Sequence, residues 1–191
     1  MSAPLITATG LAAIRGERLL FRDVSIAVHG GESLVLRGAN GNGKTTLLRI
    51  LAGLTRPAEG SVTREVGFHW IAHRTGLKPH ETPREHLCLW ARAWGVPFDN
   101  IDSRLAEAGL KRPGDVPARL LSAGQRQRTA LARLKLDPRA LWLMDEPFSA
   151  LDVEARAALN RDMREHCAAG GAIIAAVHGD VGLDADREFA L

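Results

Sequence analysis

Leu34-Val-Leu-Arg37 runs directly into Gly38-Ala-Asn-Gly-Asn-Gly-Lys44-Thr45-Thr46, a short apolar segment followed by the pattern G-x-x-x-x-G-K-T. The glycines at 38, 41 and 43 let the backbone curl so that successive N–H groups face one concavity, and a helix starting near Lys44 adds the positive end of its dipole. Such a nest takes phosphate oxygens. Lys44 would reach the β- and γ-phosphates as a point charge, and the Thr45 hydroxyl would sit on a bridging Mg2+. The flanks fit: Val35 and its neighbours read as a buried strand, and Leu47, Leu48, Leu51 and Leu54 give the next segment one apolar helical face until Gly53 and Pro57 end it. Gly38, Asn40, Gly41, Asn42, Gly43, Lys44, Thr45 and Thr46 are therefore the first candidate nucleotide contacts.

The 191 residues, 46% of them apolar and 25% charged, match one globular domain with a real core. There is no run of about 18 apolar residues to span a bilayer, and Met1-Ser-Ala-Pro4 lacks the basic and long apolar regions of a secretory signal, so a cytosolic protein is expected. Cys88 and Cys167 lie far apart without metal-ligand spacing and read as reduced thiols. A net charge of +3 suits a protein handling a polyanionic nucleotide or lying near anionic lipid. Without aromatic-basic interleaving or a tail of like charge, it does not argue for nucleic acid.

From Pro4 to Val28 alternating residues predict an antiparallel pair, and Gly60–Thr63 and Val66–Ala72 two further strands. A helical segment then opens at Thr82-Pro-Arg-Glu85, a capping box with Pro at the first helical position, and Leu87, Trp90 or Ala91 and Trp94 recur at helical spacing up to Gly95. The tryptophans are read as packing residues on the Leu87 face. A weaker helix covers 103–110. Ser122 and Gln125 make a second capping box, with Ala130, Leu131 and Leu134 as its apolar stripe. Gly124 in the first turn costs about 1 kcal/mol of helix propensity and is explained by something approaching the backbone closely. Leu141-Trp-Leu-Met144 is an apolar strand ending in Asp145-Glu146. Two carboxylates at the tip of a buried strand are costly unless a cation sits there. Asp145 would hold Mg2+ directly or through water, and Glu146 would polarise a water for in-line attack on a γ-phosphate. Ser149–Asp152 is a turn into a helix, and Ala172–Val177 a last buried strand with His178 at its end, the edge where open α/β sheets carry ligands.

In this order the segments resemble the ATP-binding-cassette (ABC) ATPases across essentially the whole chain. Gly38–Thr45 is similar to the family's Walker A motif, Leu121-Ser-Ala-Gly-Gln125 to its signature, Leu141–Asp145 to Walker B with Glu146 as catalytic base, Ser149–Asp152 to the D-loop, and His178 to the switch histidine. The resemblance implies an α/β P-loop NTPase: a mixed β core with an antiparallel part and an inserted α-helical subdomain near residues 82–135 of a single domain spanning 1–191. It also implies ATP and Mg2+ as ligands, and a head-to-tail dimer in which Ser122, Gly124, Gln125 and Asp152 of one copy meet the nucleotide held by Lys44 of the other. Three positions depart from the pattern. His73 falls where the family has a Mg2+-touching glutamine, Arg15 falls where an aromatic residue stacks on adenine, and Ala123 replaces a commoner glycine. An arginine there could stack on a base but leaves base selectivity loose.

The short cassette, His73-Arg74, Gly76-Leu-Lys78, the Leu-Ser-Ala-Gly-Gln signature and Leu141-Trp-Leu-Met-Asp-Glu-Pro-Phe148 are similar to the cassettes of bacterial cytochrome c biogenesis. That resemblance implies a peripheral subunit on the cytoplasmic side of the inner membrane, partnered with membrane-embedded subunits (CcmB-like, with CcmC- or CcmD-like ones), whose ATP hydrolysis serves haem delivery. His69, His73 and His80 form no axial-ligand motif and are not assigned to haem. An ATPase for another exporter, of lipid or drug, and a soluble regulatory cassette stay open at this point. A P-loop kinase is disfavoured, since the Ser122–Gly124 helix has no use in transfer to a small acceptor.

Overall fold

The computed structural model describes residues 3–110, 112–179, 182 and 185–191. In chain order the elements are β1 (Ile6–Arg15), β2 (Arg18–Val28), β3 (Ser33–Arg37), α1 (Lys44–Leu51), β4 (Glu59–Arg64), β5 (Phe68–Ile71), α2 (Pro83–Trp94), α3 (Ile101–Glu107), α4 (Ala123–Ala132), β6 (Leu141–Asp145), α5 (Val153–Ala168), β7 (Ala172–Ala176) and β8 (Arg187–Ala190), with three short 3-10 turns between α3 and β6. They divide into two compact units: residues 1–70, 139–146 and 159–191, and residues 71–138 and 147–158.

The first unit carries two sheets. One is antiparallel, in the order β2-β1-β4. β1 and β2 are joined by a two-residue turn, Gly16-Glu17, closed by the pair Arg15 and Arg18. Alternation holds from Ile6 to Ala8, and register shifts then bring Leu11, Ala12 and Ala13 all inside, as bulges do. The second sheet runs β5-β6-β7-β3-β8, with β3 parallel to both β7 and β8, and β6 parallel to β7. β6 and β7 are buried along their whole length, which is why Leu141–Met144 and Ala172–Ala176 read as continuous apolar runs. α1 buries Leu47, Leu48 and Leu51 in this core, each contributing about 1.5–3 kcal/mol. Leu54 does not share that face. The helix stops at Leu51, and bonds from Gly53 N–H to Ile50 O and from Leu54 N–H to Arg49 O reverse the chain, leaving Leu54 53% exposed.

The second unit is mainly helical around Leu87, Ala91, Ile101, Leu105, Leu110 and Ala132. Both predicted capping boxes are present: Thr82 with Glu85, and Ser122 with Gln125. The tryptophans pack, Trp90 and Trp94 against each other. Trp90 donates from Nε1 to His86 Nε2 at 3.1 Å, lies 4.9 Å from the Trp94 ring, and carries the Arg133 guanidinium over its face. His86 Nδ1 in turn meets buried Glu81 at 3.1 Å. Among the described residues no helix is long and apolar enough to cross a membrane.

Candidate functional site

The first unit holds a cavity of about 300 Å3 over the loop between β3 and α1, whose lining includes Gly41, Gly43, Lys44, Thr45, Thr46 and Glu146. Gly43 caps α1 at φ 101°, a left-handed conformation suited to glycine, and an added Cβ would stand 3.0 Å from the Phe21 ring. Behind it Lys44 is only 7% exposed. Its Nζ donates to Gly38 O at 2.6 Å and Ala39 O at 3.1 Å, so two of its three donors are taken by the loop's own carbonyls. Thr45 Oγ1 donates to the Asp145 carboxylate at 2.9 and 3.1 Å, joining the first turn of α1 to the tip of β6. Asp145 is 2% exposed.

One residue on, Glu146 takes φ 52°. A non-glycine residue there costs about 1–2 kcal/mol; the bond from its N–H to Ala176 O at 2.9 Å holds it, and its side chain lines the cavity. Asn40 also lines the cavity and accepts a close contact from His178 at the end of β7, so the histidine is tied to the site through that amide. Asn42 does something else. Its Nδ2 donates to the main-chain oxygen of Leu191 at 2.7 Å, and Leu191 N–H donates to Arg37 O at 2.9 Å, so Asn42 fastens the loop to the segment leaving β8.

The β1–β2 hairpin adds Arg15, Arg18 and Leu20 to the lining, with Leu20 close to Gly43. Arg15 was expected; Arg18 was not. The signal was available, since a two-residue turn closed by Arg15 and Arg18 puts both at one hairpin end.

In the second unit, Ser122 Oγ accepts from Gln125 N–H at 3.1 Å, while Gln125 Oε1 accepts from Ser122 N–H at 2.8 Å. Both oxygens act as acceptors in the cap, so the Ser122 hydroxyl proton and the Gln125 Nε2 hydrogens are not used by it. The close approach that Gly124 predicts is found within the chain itself. A Cβ on Gly124 would stand 2.8 Å from Ala150 O, and Ala150 itself takes φ 59°. Asp152 Oδ1 accepts from Ala155 N–H at 2.8 Å and caps α5. His73 is exposed, in the irregular stretch after β5. Among the described residues no three His, Cys, Asp or Glu side chains cluster as a metal site. Thr45 with Asp145 is instead a hydroxyl-carboxylate pair, the hard oxygen donors that suit Mg2+ when phosphate and water complete its shell.

Residues 21–149 match the family model for the ABC transporter. The chain belongs to the ABC transporter family. This cassette is 53% identical over 190 residues to the "Cytochrome c biogenesis ATP-binding export protein CcmA" of Hyphomonas neptunium, covering 100% of this chain and 98% of that one. Proteins of the same name from Methylococcus capsulatus and Salmonella typhi are each 45% identical, the first covering 93% of both chains, the second 91% of this chain and 89% of its own. Among solved structures, an ATP-binding subunit of an ABC transporter superposes with a TM-score of 0.81 at 29% identity, covering 91% of this chain and 79% of that one. A metal-chelate type ABC transporter in an inward-facing conformation gives 0.83 at 20% identity, covering 98% and 80%, which is likeness of fold. The family accounts for the mixed α/β fold and for nucleotide binding.

Proposed function

We propose that this chain is the ATP-binding and ATP-hydrolysing subunit of an ABC transporter complex that powers haem delivery in c-type cytochrome biogenesis. The observation that carries the hydrolytic part is the Thr45–Asp145 contact beneath a cavity whose wall includes Glu146. Lys44 exchanges its two loop carbonyls for β- and γ-phosphate oxygens. Thr45 and Asp145 would hold Mg2+, which would supply charge to offset that on the phosphates; the resemblance adds His73, at the position of the family's Mg2+-touching glutamine, as a further candidate toward the metal. Glu146 accepts a proton from the water whose oxygen bonds to the γ-phosphorus, while the bond from that phosphorus to the bridging oxygen breaks and ADP leaves with the electron pair. His178, held by Asn40, moves between that amide and the γ-phosphate. Gly38, Asn40, Gly41, Gly43 and Thr46 shape the phosphate nest, with Asn42 as its fastening, and Arg15 meets the base.

The first turn of α4 is an N-terminus rich in donors, which supports a dimer in which Ser122, Gly124, Gln125 and Asp152 of one copy close over nucleotide bound by the other. The cassette is one domain of residues 1–191 with a helical subdomain near 82–135. The relatives' shared name over nearly the whole chain supports the cytochrome c role. The partners are membrane-embedded subunits, CcmB-like with CcmC- or CcmD-like ones, which hold the cassette peripherally at the cytoplasmic side of the inner membrane. Tagged Glu146→Gln protein tests this in native membranes with ATP and Mg2+: it is expected to be a trapped dimer that brings down haem-handling membrane subunits. A variant that stays monomeric at saturating ATP refutes the sandwich; recovery of an unrelated permease refutes the haem role.

A further inference from the structure

We infer that Arg37 is a positioning residue for hydrolysis: its guanidinium ties the carbonyl that follows His178 to the last strand, and so holds that histidine at the phosphate loop. The inference rests on the hydrolytic role proposed for His178 above. β3 lies between β7 and β8 and is buried from Ser33 to Leu36, so a charged side chain is tolerated only where the strand runs out, at Arg37. Side chains alternate along a strand, which puts Val35 and Arg37 on one face of β3. Val35 is paired with Glu188 of β8, and Arg37 has that carboxylate as its diagonal neighbour. Its Nε and Nη2 donate to Glu188 Oε1 at 3.0 and 2.8 Å. The fork is thereby aimed, and Nη1 donates to Gly179 O at 2.6 Å. Charge-assisted bonds of this kind are about twice as strong as neutral ones.

β7 leaves the sheet just before this point. It pairs with β3 as far as Leu36 and Ala176, and Val177 N–H reaches Leu36 O only at 3.5 Å. His178 is exposed and lies beyond the strand. Its backbone is held by the Val177 bond on one side and by the Arg37 bond to Gly179 on the other. Between those two ties the imidazole Nε2 meets Asn40 Oδ1 in the phosphate loop. Arg37 also leads into that loop, and its main-chain oxygen accepts from Leu191 N–H. Replacing the side chain leaves that main-chain bond in place. The main chain of Arg37 therefore seats the phosphate loop, and its side chain places His178.

Long-range proton–nitrogen spectra of the histidine rings test this on the full chain without nucleotide at about pH 8, where a free imidazole is neutral. A His178→Gln variant identifies the signal. The parent ring is expected to hold its hydrogen on Nε2, the atom that faces the Asn40 oxygen. Arg37→Ala should shift it toward the mixed tautomers of a free imidazole, while the signal of buried His86 stays unchanged. In steady-state hydrolysis Arg37→Ala should lower kcat about ten- to a hundredfold, the scale of a misplacement of about 1 Å. Kd for ATP, measured by calorimetry in the Glu146→Gln background, should move less than about threefold, the size of the weakest single hydrogen bond. Arg37→Ala added to His178→Ala should cost little beyond His178→Ala alone. Glu188→Ala changes an exposed side chain of an edge strand and leaves the guanidinium unaimed, so it should shift the His178 signal the same way even if Arg37→Ala does not fold. An unchanged His178 signal in Arg37→Ala overturns the inference, as does an unchanged one in Glu188→Ala. So does a loss of kcat that persists in full without His178, or a Kd that rises as far as kcat falls, which would put the guanidinium's role in the phosphate loop. A parent without ATPase activity instead overturns the hydrolytic reading, and the ring spectrum, which needs no nucleotide, still decides whether Arg37 holds His178.

Discussion

Lys44→Met separates what the lysine does for the fold from what it does for the ligand. Without nucleotide, Lys44 Nζ bonds Gly38 O and Ala39 O. Each such bond has a net worth of about 0.5–1.5 kcal/mol. Gly38 is half-buried and Ala39 exposed, so water can take over both carbonyls. Removing a desolvated ammonium group offsets the remainder. The unliganded variant should therefore melt within about 1 kcal/mol of the parent. With ATP at a hundred times Kd, the parent gains about 2.7 kcal/mol. For a chain of this size that raises Tm by about 5–11 °C. The variant, with no charge to meet the phosphates, should show almost none of that shift in thermal melts followed by tryptophan fluorescence with ATP and Mg2+. A variant that keeps the full ATP-dependent rise would refute the loop assignment; one that unfolds before ligand is added would refute the accounting for the lysine's carbonyl bonds.

Gly124→Ala should destabilise the protein by about 1–3 kcal/mol, although the same exchange inside an open helix stabilises by about 1 kcal/mol, because the new Cβ meets a backbone carbonyl, Ala150 O, at 2.8 Å. Urea unfolding decides the sign, and a stabilised variant would show that the turn at 149–151 yields freely. Acid should also weaken the fold. Burial, with the Arg133 charge, holds His86 below its ordinary value of 6.5 against the opposing pull of Glu81, so the unfolded chain binds the proton more readily and stability is lost as pH falls from about 6.5 toward the folded-state value. Burial pushes His166 in the same direction. His86→Gln should flatten part of the slope of urea midpoints between pH 7.5 and 5, leaving the His166 share, and an unchanged slope would clear His86 of that role.

The phosphate loop, both capping boxes and the buried strands were legible because each is a local pattern: glycine spacing, a Ser/Thr with its partner three residues on, or an unbroken apolar run. What escaped depended on partners distant in sequence. Arg187–Ala190 is largely exposed and carries no alternation, and it becomes β8 only because β3 offers a parallel edge. Asn42 reads as one more loop residue until Leu191 is beside it. Gly124 correctly predicted a close approach, but residue spacing could not say that its occupant is Ala150, 26 residues away. Trp90 satisfies the helical period with Leu87, yet its indole N–H needs an acceptor, and His86 one turn back provides it.

The tie between Asn42 and Leu191 also sets an order of assembly. Synthesis runs from the N-terminus, so the phosphate loop leaves the ribosome long before β8 exists. Until residues 187–191 lie beside β3, Arg37 O lacks the Leu191 N–H and the Asn42 amide lacks its acceptor. A nascent cassette therefore carries its full phosphate-binding sequence with the loop still unfastened, and that fastening waits until residues 187–191 have been made and have paired with β3.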